Sequence, residues 1–192
     1  MEENRPNIGE QNRVSLVMIA EGLFVGVLAG LTVILYRVCL SYATKWLDKV
    51  LQFLYKNPAW FAGWFAVLLL LAVVVGRLLR WEPLIAGGGI PQVEAEIAGT
   101  LSRRWMRVIP AKFAGGFLCV FGGMSLGRCG PSIQLGAMTG QGVSRFLRRG
   151  EDEERSLMAC GAGAGIAATF HAPLAGMVFA MEEIYRAGKT TD

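Results

Sequence analysis

The stretch 113–131, FAGGFLCVFGGMSLGRCGP, joins an apolar run to a glycine-rich break that ends in proline. Its uncharged part, residues 113–127, is shorter than the about 20 residues that an ordinary membrane-spanning helix needs. Pro110 precedes this part, and the segment 131–144 that follows is helix-like but only modestly apolar. We therefore predict that this region forms short, interrupted helices inside a membrane.

More continuous apolar segments lie on either side of this region. We predict a first span over residues 14–40 and a second, uncharged span over residues 59–76. The connection between them is predicted to be polar and amphipathic, with Lys45, Asp48, Lys49 and Lys56. Residues 156–181 carry no charge apart from that possible on His171, and Pro173 is expected to divide them into two short helices. His171 itself is expected to cap or pack at this junction.

The overall composition supports a membrane protein. Of the 192 residues, 53% are hydrophobic and 18% are charged, and 25 are glycine, whereas soluble domains average about 25% charged residues. This excludes a disordered chain, a nucleic-acid-binding tail and a disulfide-stapled secreted module. We predict an all-α integral membrane protein of tilted and broken helices. A polar segment over residues 1–13 precedes its membrane domain, residues 14–187, and a polar tail over residues 188–192 follows.

The basic residues predict the orientation of this domain. No cleavable signal peptide is evident, so the chain is expected to pass several times through the cell membrane. If the N-terminus is cytoplasmic, seven basic residues lie on that side, Arg5, Arg13, Arg77, Arg80, Arg103, Arg104 and Arg107. Four lie on the other side, Arg37, Lys45, Lys49 and Lys56. The excess favours a cytoplasmic N-terminus.

Small residues mark the expected helix contacts. Gly22, Gly26 and Gly30 recur every four residues and share one helical face, where we expect another helix to approach closely. The segment 161–165, GAGAG, is too small-sided to face lipid, so we expect it to lie against other helices.

Two glycine–proline breaks are the candidate functional site. They comprise Gly87, Gly88, Gly89, Ile90 and Pro91, and Gly127, Arg128, Cys129, Gly130 and Pro131. Proline suits the first turn of a helix, and glycines before it let a ligand approach the backbone amides. Such a helix start favours an anion. From the spacing alone, an anion path and ordinary re-entrant turns without a ligand are equally good interpretations.

These motifs resemble those of the CLC family of chloride channels and chloride/proton antiporters. GGGIP at 87–91 is similar to the family's GSGIP, and GRCGP at 127–131 is similar to its GREGP. FHAPLAGMVFAMEE at 170–183 resembles the family's FNAPLAG followed by a paired glutamate. The resemblance runs from Val14 to Tyr185. It implies one half of an inverted repeat, with two halves per subunit, usually two subunits, and an anion path in each.

The resemblance also implies roles for individual residues. Gly88 stands where a serine hydroxyl would face the central anion, and Arg128 would draw anions toward the site. Cys129 stands at the gate position, in place of the gating glutamate, and Glu183 is the proton-transfer candidate. A thiol is smaller than a carboxylate and mostly uncharged near pH 7. We therefore expect impaired proton coupling and passive conduction of chloride.

Family members carry a second half with a GxFxP motif and a tyrosine near the anion. The present sequence includes neither, so we expect a fragment, a truncated product or a half-transporter that pairs with another copy as a homodimer. The alternatives are a non-transporting membrane remnant or interaction subunit, and a fluoride-selective exporter of the same family. The expected partners are the lipid bilayer and chloride. We expect no enzymatic activity, cofactor, metal site or nucleic-acid partner.

Overall fold

The computed structural model describes residues 8–57, 60–97, 105–127 and 129–189, with side chains described from Leu16 to Glu182 within those ranges. The described part is all-helical and contains no strand, which confirms the predicted fold class. Its elements are α1 (Ile8–Lys56), α2 (Phe61–Trp81), a 3-10 turn (Pro83–Ile85), α3 (Ile90–Ile97), α4 (Trp105–Phe121), α5 (Cys129–Phe146), α6 (Glu151–Phe170) and α7 (Pro173–Lys189).

Helix α1 differs from its prediction. We expected a span that ends at Leu40 and a separate connection, but the structure has one continuous helix of 49 residues. Residues 41–56 contain no glycine or proline, so no local signal ends the helix there. At about 1.5 Å per residue, α1 is longer than a bilayer core of about 30 Å. Its charged C-terminal part therefore continues past the apolar stretch.

Among the described residues, two helical segments are long and apolar enough to cross a membrane, Leu16–Lys56 and Phe61–Trp81. Helix α2 has no buried residue along its length, so its apolar side chains face outward. An apolar helix that packs so little against the protein is suited to contact with lipid.

Helix α4 also differs from its prediction. It begins at Trp105 rather than after Pro110, and it ends at Phe121. Pro110 is the sixth residue of the helix, where its ring costs few backbone hydrogen bonds. The helix ends at Gly122 and Gly123, and Gly123 has a left-handed φ of 85°.

Helices α5 and α6 form the centre of the molecule. A Cβ at Gly136 would overlap the Gly161 carbonyl, and a Cβ at Gly161 would overlap the Gly136 carbonyl. Gly163 of α6 meets Gly176 of α7 in the same way. The prediction that residues 161–165 lie against other helices is therefore confirmed.

The predicted close approach of another helix to the glycines of α1 is found at only one of the three. A Cβ at Gly22 would lie 3.9 Å from the Cys160 sulfur of α6, whereas Cβ atoms at Gly26 and Gly30 would meet no described atom within 4 Å. The buried residues of α1 have larger side chains than glycine and are Val25, Ala29, Val33, Tyr36, Leu40, Ala43 and Leu54. These residues follow the helical repeat, so ordinary side-chain packing holds α1 against α4, α5 and α6.

The junction between α6 and α7 follows its prediction. His171 ends α6 in the left-handed conformation, with φ 55°, and Pro173 begins α7. The acidic residues of 151–154 open α6 at its N-terminus, where negative charge is favourable.

Candidate functional site

The two glycine–proline breaks meet in space. Pro91 is the second residue of α3, and Pro131 is the third residue of α5. A Cβ at Gly130 would overlap the Gly88 carbonyl, so the two backbones touch. Gly89 has φ 87°, and a Cβ there would lie 3.0 Å from the Gly130 oxygen. Glycine is therefore required at Gly89 and Gly130 for this approach.

A cavity of about 540 Å³ lies beside the meeting point of the two breaks. Six predicted site residues line it, Gly87, Gly88, Ile90, Gly127, Gly130 and Pro131. Its other walls come from α1, α2 and α4. Cys129 is half-buried at the first position of α5, immediately before Gly130. The predicted motifs thus converge on one cavity between two helix starts.

Three side chains hold carbonyl groups at the start of the first break and in the three residues before it. Gln134 donates a hydrogen bond to the Leu84 oxygen at 2.9 Å, and Gln92 donates one to the Ala86 oxygen at 2.9 Å. The Lys112 ammonium donates to the Ile85 and Gly87 oxygens, at 3.0 and 3.4 Å.

The amide groups of the same loop remain available. Within the described part of the chain, no hydrogen bond is found from the N–H groups of Gly87 and Gly88. Gly87 and Gly88 are exposed at the cavity, so these two N–H groups are accessible to a ligand. The first break therefore has fixed carbonyls and unused donors, which is the arrangement that an anion requires.

Lys112 is a site residue that the sequence analysis did not identify. Its side chain is buried and lines the cavity from α4. A charged residue at membrane depth is costly unless a partner or a polar cavity compensates it. The signal in the sequence is a single lysine between Pro110 and the uncharged run that begins at Phe113.

Tyr36 of α1 is a second residue that was not identified. Its buried side chain lines the cavity, and its hydroxyl lies against Gly116 of α4. Its ring packs edge-on against Phe113, with 5.2 Å between ring centroids. The hydroxyl makes no hydrogen bond to any residue that the structure describes. No local sequence pattern marks a tyrosine that packs in this way.

Two predicted site residues are not tested by the structure. Arg128 lies outside the described residues, and Glu183 lies in α7 beyond the last described side chain. Within the described part, no group of histidine, cysteine or acidic side chains could hold a metal ion.

Comparison with known proteins gives consistent matches. The family described as "Voltage gated chloride channel" matches residues 70–191. The H(+)/Cl(-) exchange transporter ClcA of Vibrio cholerae is 39% identical over 168 residues, which cover 84% of this chain and 35% of that protein. ClcA of Vibrio vulnificus is 40% identical over 179 residues, 89% of this chain and 37% of that protein. The chain therefore spans about a third of the length of these relatives.

A solved structure shares the fold. The crystal structure of a slow cyanobacterial Cl-/H+ antiporter superimposes with a TM-score of 0.68 at 27% sequence identity. The match covers 88% of this chain and 46% of that chain. The helical arrangement described above is thus that of about half of a known antiporter chain.

Proposed function

We propose an anion-transport function from the premise that this chain belongs to the voltage gated chloride channel (CLC) family. The chain contributes the glycine-rich part of a transmembrane pathway for chloride. The observation that carries this proposal is the meeting of two helix starts at one cavity, with unused amide donors on the first break. The relatives named as H(+)/Cl(-) exchange transporters support chloride as the anion.

Three features of the cavity attract chloride in this proposal. The N-termini of α3 and α5 carry partial positive charge from their helix dipoles. The amides of Gly87 and Gly88 donate hydrogen bonds in place of water. The Lys112 ammonium adds a full positive charge at the cavity wall. Because the surrounding walls are largely apolar, each of these interactions is stronger than it would be in water.

Cys129 determines the coupling that we propose. It stands at the start of α5, where the family motif has its gating glutamate. A thiol does not imitate chloride by charge, and it leaves the pathway without the carboxylate that would exchange a proton. We infer that chloride passes without obligatory proton exchange. Arg128 and Glu183 keep the roles that the family motif gives them, an anion-attracting cation and a proton-transfer candidate.

The proposed pathway lies in the cell membrane and is completed by the region that corresponds to the remaining length of the relatives. That region comes from the same polypeptide, from a separate one or from a second copy of this chain. Each source supplies the opposite wall of the cavity at the two breaks. Lipid surrounds the outward-facing side chains of α2.

Anion efflux from liposomes tests the proposal. The purified chain is reconstituted alone, and protein-free liposomes serve as the control. We expect chloride efflux above the control, without dependence on a pH gradient, because in these liposomes a second copy of the chain supplies the opposite wall. Fluoride efflux measured in parallel separates a fluoride-selective exporter from a chloride pathway. A folded and inserted chain that releases neither anion would contradict transport by this chain alone and favour a non-transporting membrane subunit.

A further inference from the structure

Four consecutive carbonyl groups, before and within the first break, accept hydrogen bonds from side chains of neighbouring helices. They belong to Leu84, Ile85, Ala86 and Gly87. In a trans peptide the C=O and N–H bonds point in opposite directions, and the described part of the chain contains no cis peptide bond. A side chain that holds a carbonyl therefore also fixes the direction of the N–H group of the following residue.

Two of these four peptide units already use their N–H group within the turn. The N–H groups of Ile85 and Ala86 donate to carbonyl oxygens three residues earlier, at 3.3 and 3.1 Å. The other two units carry the N–H groups of Gly87 and Gly88, for which no hydrogen bond is found in the described part of the chain. The directions of these two donors therefore depend on the side chains that hold the carbonyls before them.

Gln92 of α3 holds the carbonyl that precedes the Gly87 donor. It is the third residue of the helix, and its Nε2 donates to the Ala86 oxygen at 2.9 Å. The amide group has one usable orientation, because a carbonyl oxygen only accepts hydrogen bonds. The Oε1 atom of Gln92 is buried and has no hydrogen-bond partner among the described residues. Within the described part of the chain, the bond to Ala86 is therefore the one hydrogen bond of this side chain.

The Ala86–Gly87 peptide depends on this hydrogen bond because glycine does not restrict it. Glycine adopts positive and negative φ about equally well, so backbone sterics at Gly87, with φ 73°, leave the peptide free to rotate. Gln92 acts from outside the cavity, since it is not among the lining residues, whereas Gly87 lines the cavity and is exposed there. The Gly87 N–H points away from the Ala86 oxygen and hence away from Gln92.

We propose that Gln92 is a positioning residue for the transported anion. By holding the Ala86 carbonyl, it turns the Gly87 amide donor toward the anion without touching the anion itself. This inference rests on the proposed function, because it assumes that the Gly87 amide binds chloride. Gln134 has no equivalent role, because the peptide that it holds carries an N–H group already used within the turn.

The variant Gln92→Met isolates the hydrogen bond. Methionine has an unbranched side chain of similar length and no hydrogen-bond donor. Gln141→Met is the matched control, because Gln141 is a glutamine of α5 that is 2% exposed and does not line the cavity. Chloride affinity is measured by isothermal titration of the purified chain in detergent, with gluconate as the replaced anion.

We expect the chloride affinity of Gln92→Met to fall about tenfold, because a misdirected amide loses its hydrogen bond to a charged ligand. Gln141→Met should bind chloride as the wild type does. An equal loss in both variants would be a general effect of removing an amide from the protein, and would reject the positioning role.

The variant Gln92→Glu gives a pH profile that a loss of stability alone would not produce. A protonated glutamate donates its O–H to the Ala86 oxygen, whereas an ionised one has no donor. Its negative charge also repels an anion at the cavity. We expect this variant to bind chloride as the wild type does at low pH, and about tenfold more weakly once the new carboxyl ionises. Comparison with the wild type at each pH removes the titration of groups that both proteins share.

The outcomes separate this inference from the proposed function. Wild-type chloride affinity in Gln92→Met, with or without a lower thermal stability, would reject the positioning role and leave the anion pathway standing. A pH profile of Gln92→Glu that matches the wild type would reject it as well, and this test remains decisive if Gln92→Met does not fold. A wild-type chain that binds no chloride would overturn both the proposed function and this inference.

Discussion

At the scale of single residues, Cys129 is a direct probe of the pathway. It lies half-buried at the first turn of α5, beside Gly130, which lines the cavity, although Cys129 is not itself among the lining residues. Modification by a small anionic methanethiosulfonate reagent should slow chloride efflux about tenfold or more, because a fixed negative charge in a low-dielectric site repels chloride.

The three other cysteines are half-buried as well, so the reagent test needs matched variants. Cys119 itself lines the cavity, so both variants are made in a Cys119→Ala background. There, Cys129→Ala should make efflux insensitive to the reagent, whereas Cys39→Ala should leave the sensitivity intact. Efflux that the reagent slows equally in both variants would place the reactive thiol elsewhere and remove Cys129 from the pathway.

Gly88 permits a gain-of-function prediction. A Cβ at Gly88 would meet no described atom within 4 Å, so a serine fits there. Gly88→Ser restores the hydroxyl of the family motif and should tighten chloride binding about tenfold by adding one hydrogen bond to an anion. Isothermal titration with chloride measures this change.

Gly89→Ser is the contrasting variant at the neighbouring position. Gly89 has a left-handed φ, and its Cβ would lie 3.0 Å from Gln134 and from the Gly130 oxygen. This variant should lose chloride binding and thermal stability together. If Gly88→Ser binds chloride no more tightly than the wild type, the Gly88 position does not face the anion.

At the scale of helices, the contact between α5 and α6 depends on glycine. Gly161→Ala places a methyl group against the Gly136 carbonyl, so the two helices must separate. We expect a loss of about 1–3 kcal/mol in the free energy of unfolding, as for other overpacked interfaces. Circular dichroism during thermal unfolding in detergent reports the loss.

Gly26→Ala is the control for this interface, because a Cβ at Gly26 meets no described atom within 4 Å. Alanine favours helix formation over glycine by about 1 kcal/mol, so this variant should be as stable as the wild type or more stable. Equal thermal unfolding midpoints for Gly161→Ala and Gly26→Ala would contradict this prediction. They would mean that α5 and α6 accommodate the added methyl group without a loss of stability.

The helix boundaries show what local sequence can determine. Pro131 and Pro173 mark helix starts because proline is favoured there, and both predictions agree with the structure. Pro110 carries the same local signal but lies inside α4. The end of α1 was missed because the polarity of residues 41–56 marks their surroundings rather than a break in the backbone.

In the candidate site, too, local sequence patterns predict some features, whereas others depend on how the helices pack. Its two breaks could be predicted because glycine and proline at fixed spacing are a local pattern. Tyr36 and Lys112 could not be assigned, because they line one cavity only through the packing of α1 on α4. The requirement for glycine at position 130 could not be predicted either. It arises from the close contact with the Gly88 carbonyl, which belongs to a loop far away in the sequence.

At the scale of the whole molecule, one ion pair fixes which ends of the helices lie together. Arg149, between α5 and α6, pairs with Glu21 near the start of α1. Trp105 at the start of α4 lies by Gly142 near the end of α5, since a Cβ at Gly142 would be 3.1 Å from its ring. The start of α4 and the α5–α6 corner therefore share the side of the N-terminus.

This arrangement strengthens the predicted orientation. Four arginines of the α5–α6 corner now join the basic residues already assigned to the N-terminal side. The four added residues are Arg145, Arg148, Arg149 and Arg155. The cytoplasmic side of membrane proteins carries the excess of basic residues, although the acidic residues of 151–154 also lie there. Because acidic residues contribute little to this rule, we expect the α5–α6 corner to be cytoplasmic.

Cysteine labelling in vesicles tests this orientation. The four native cysteines are replaced by alanine, and one new cysteine is introduced at Gly150, where a side chain meets open space, or at the exposed Lys49. A membrane-impermeant maleimide should label Gly150→Cys in inside-out vesicles and Lys49→Cys in right-side-out vesicles. These positions lie at opposite ends of the bundle because Glu21 pairs with Arg149, while Lys49 lies 28 residues further along the same straight helix. Labelling of both from one side would mean that α1 does not cross the membrane, whereas the reverse pattern would place the N-terminus outside.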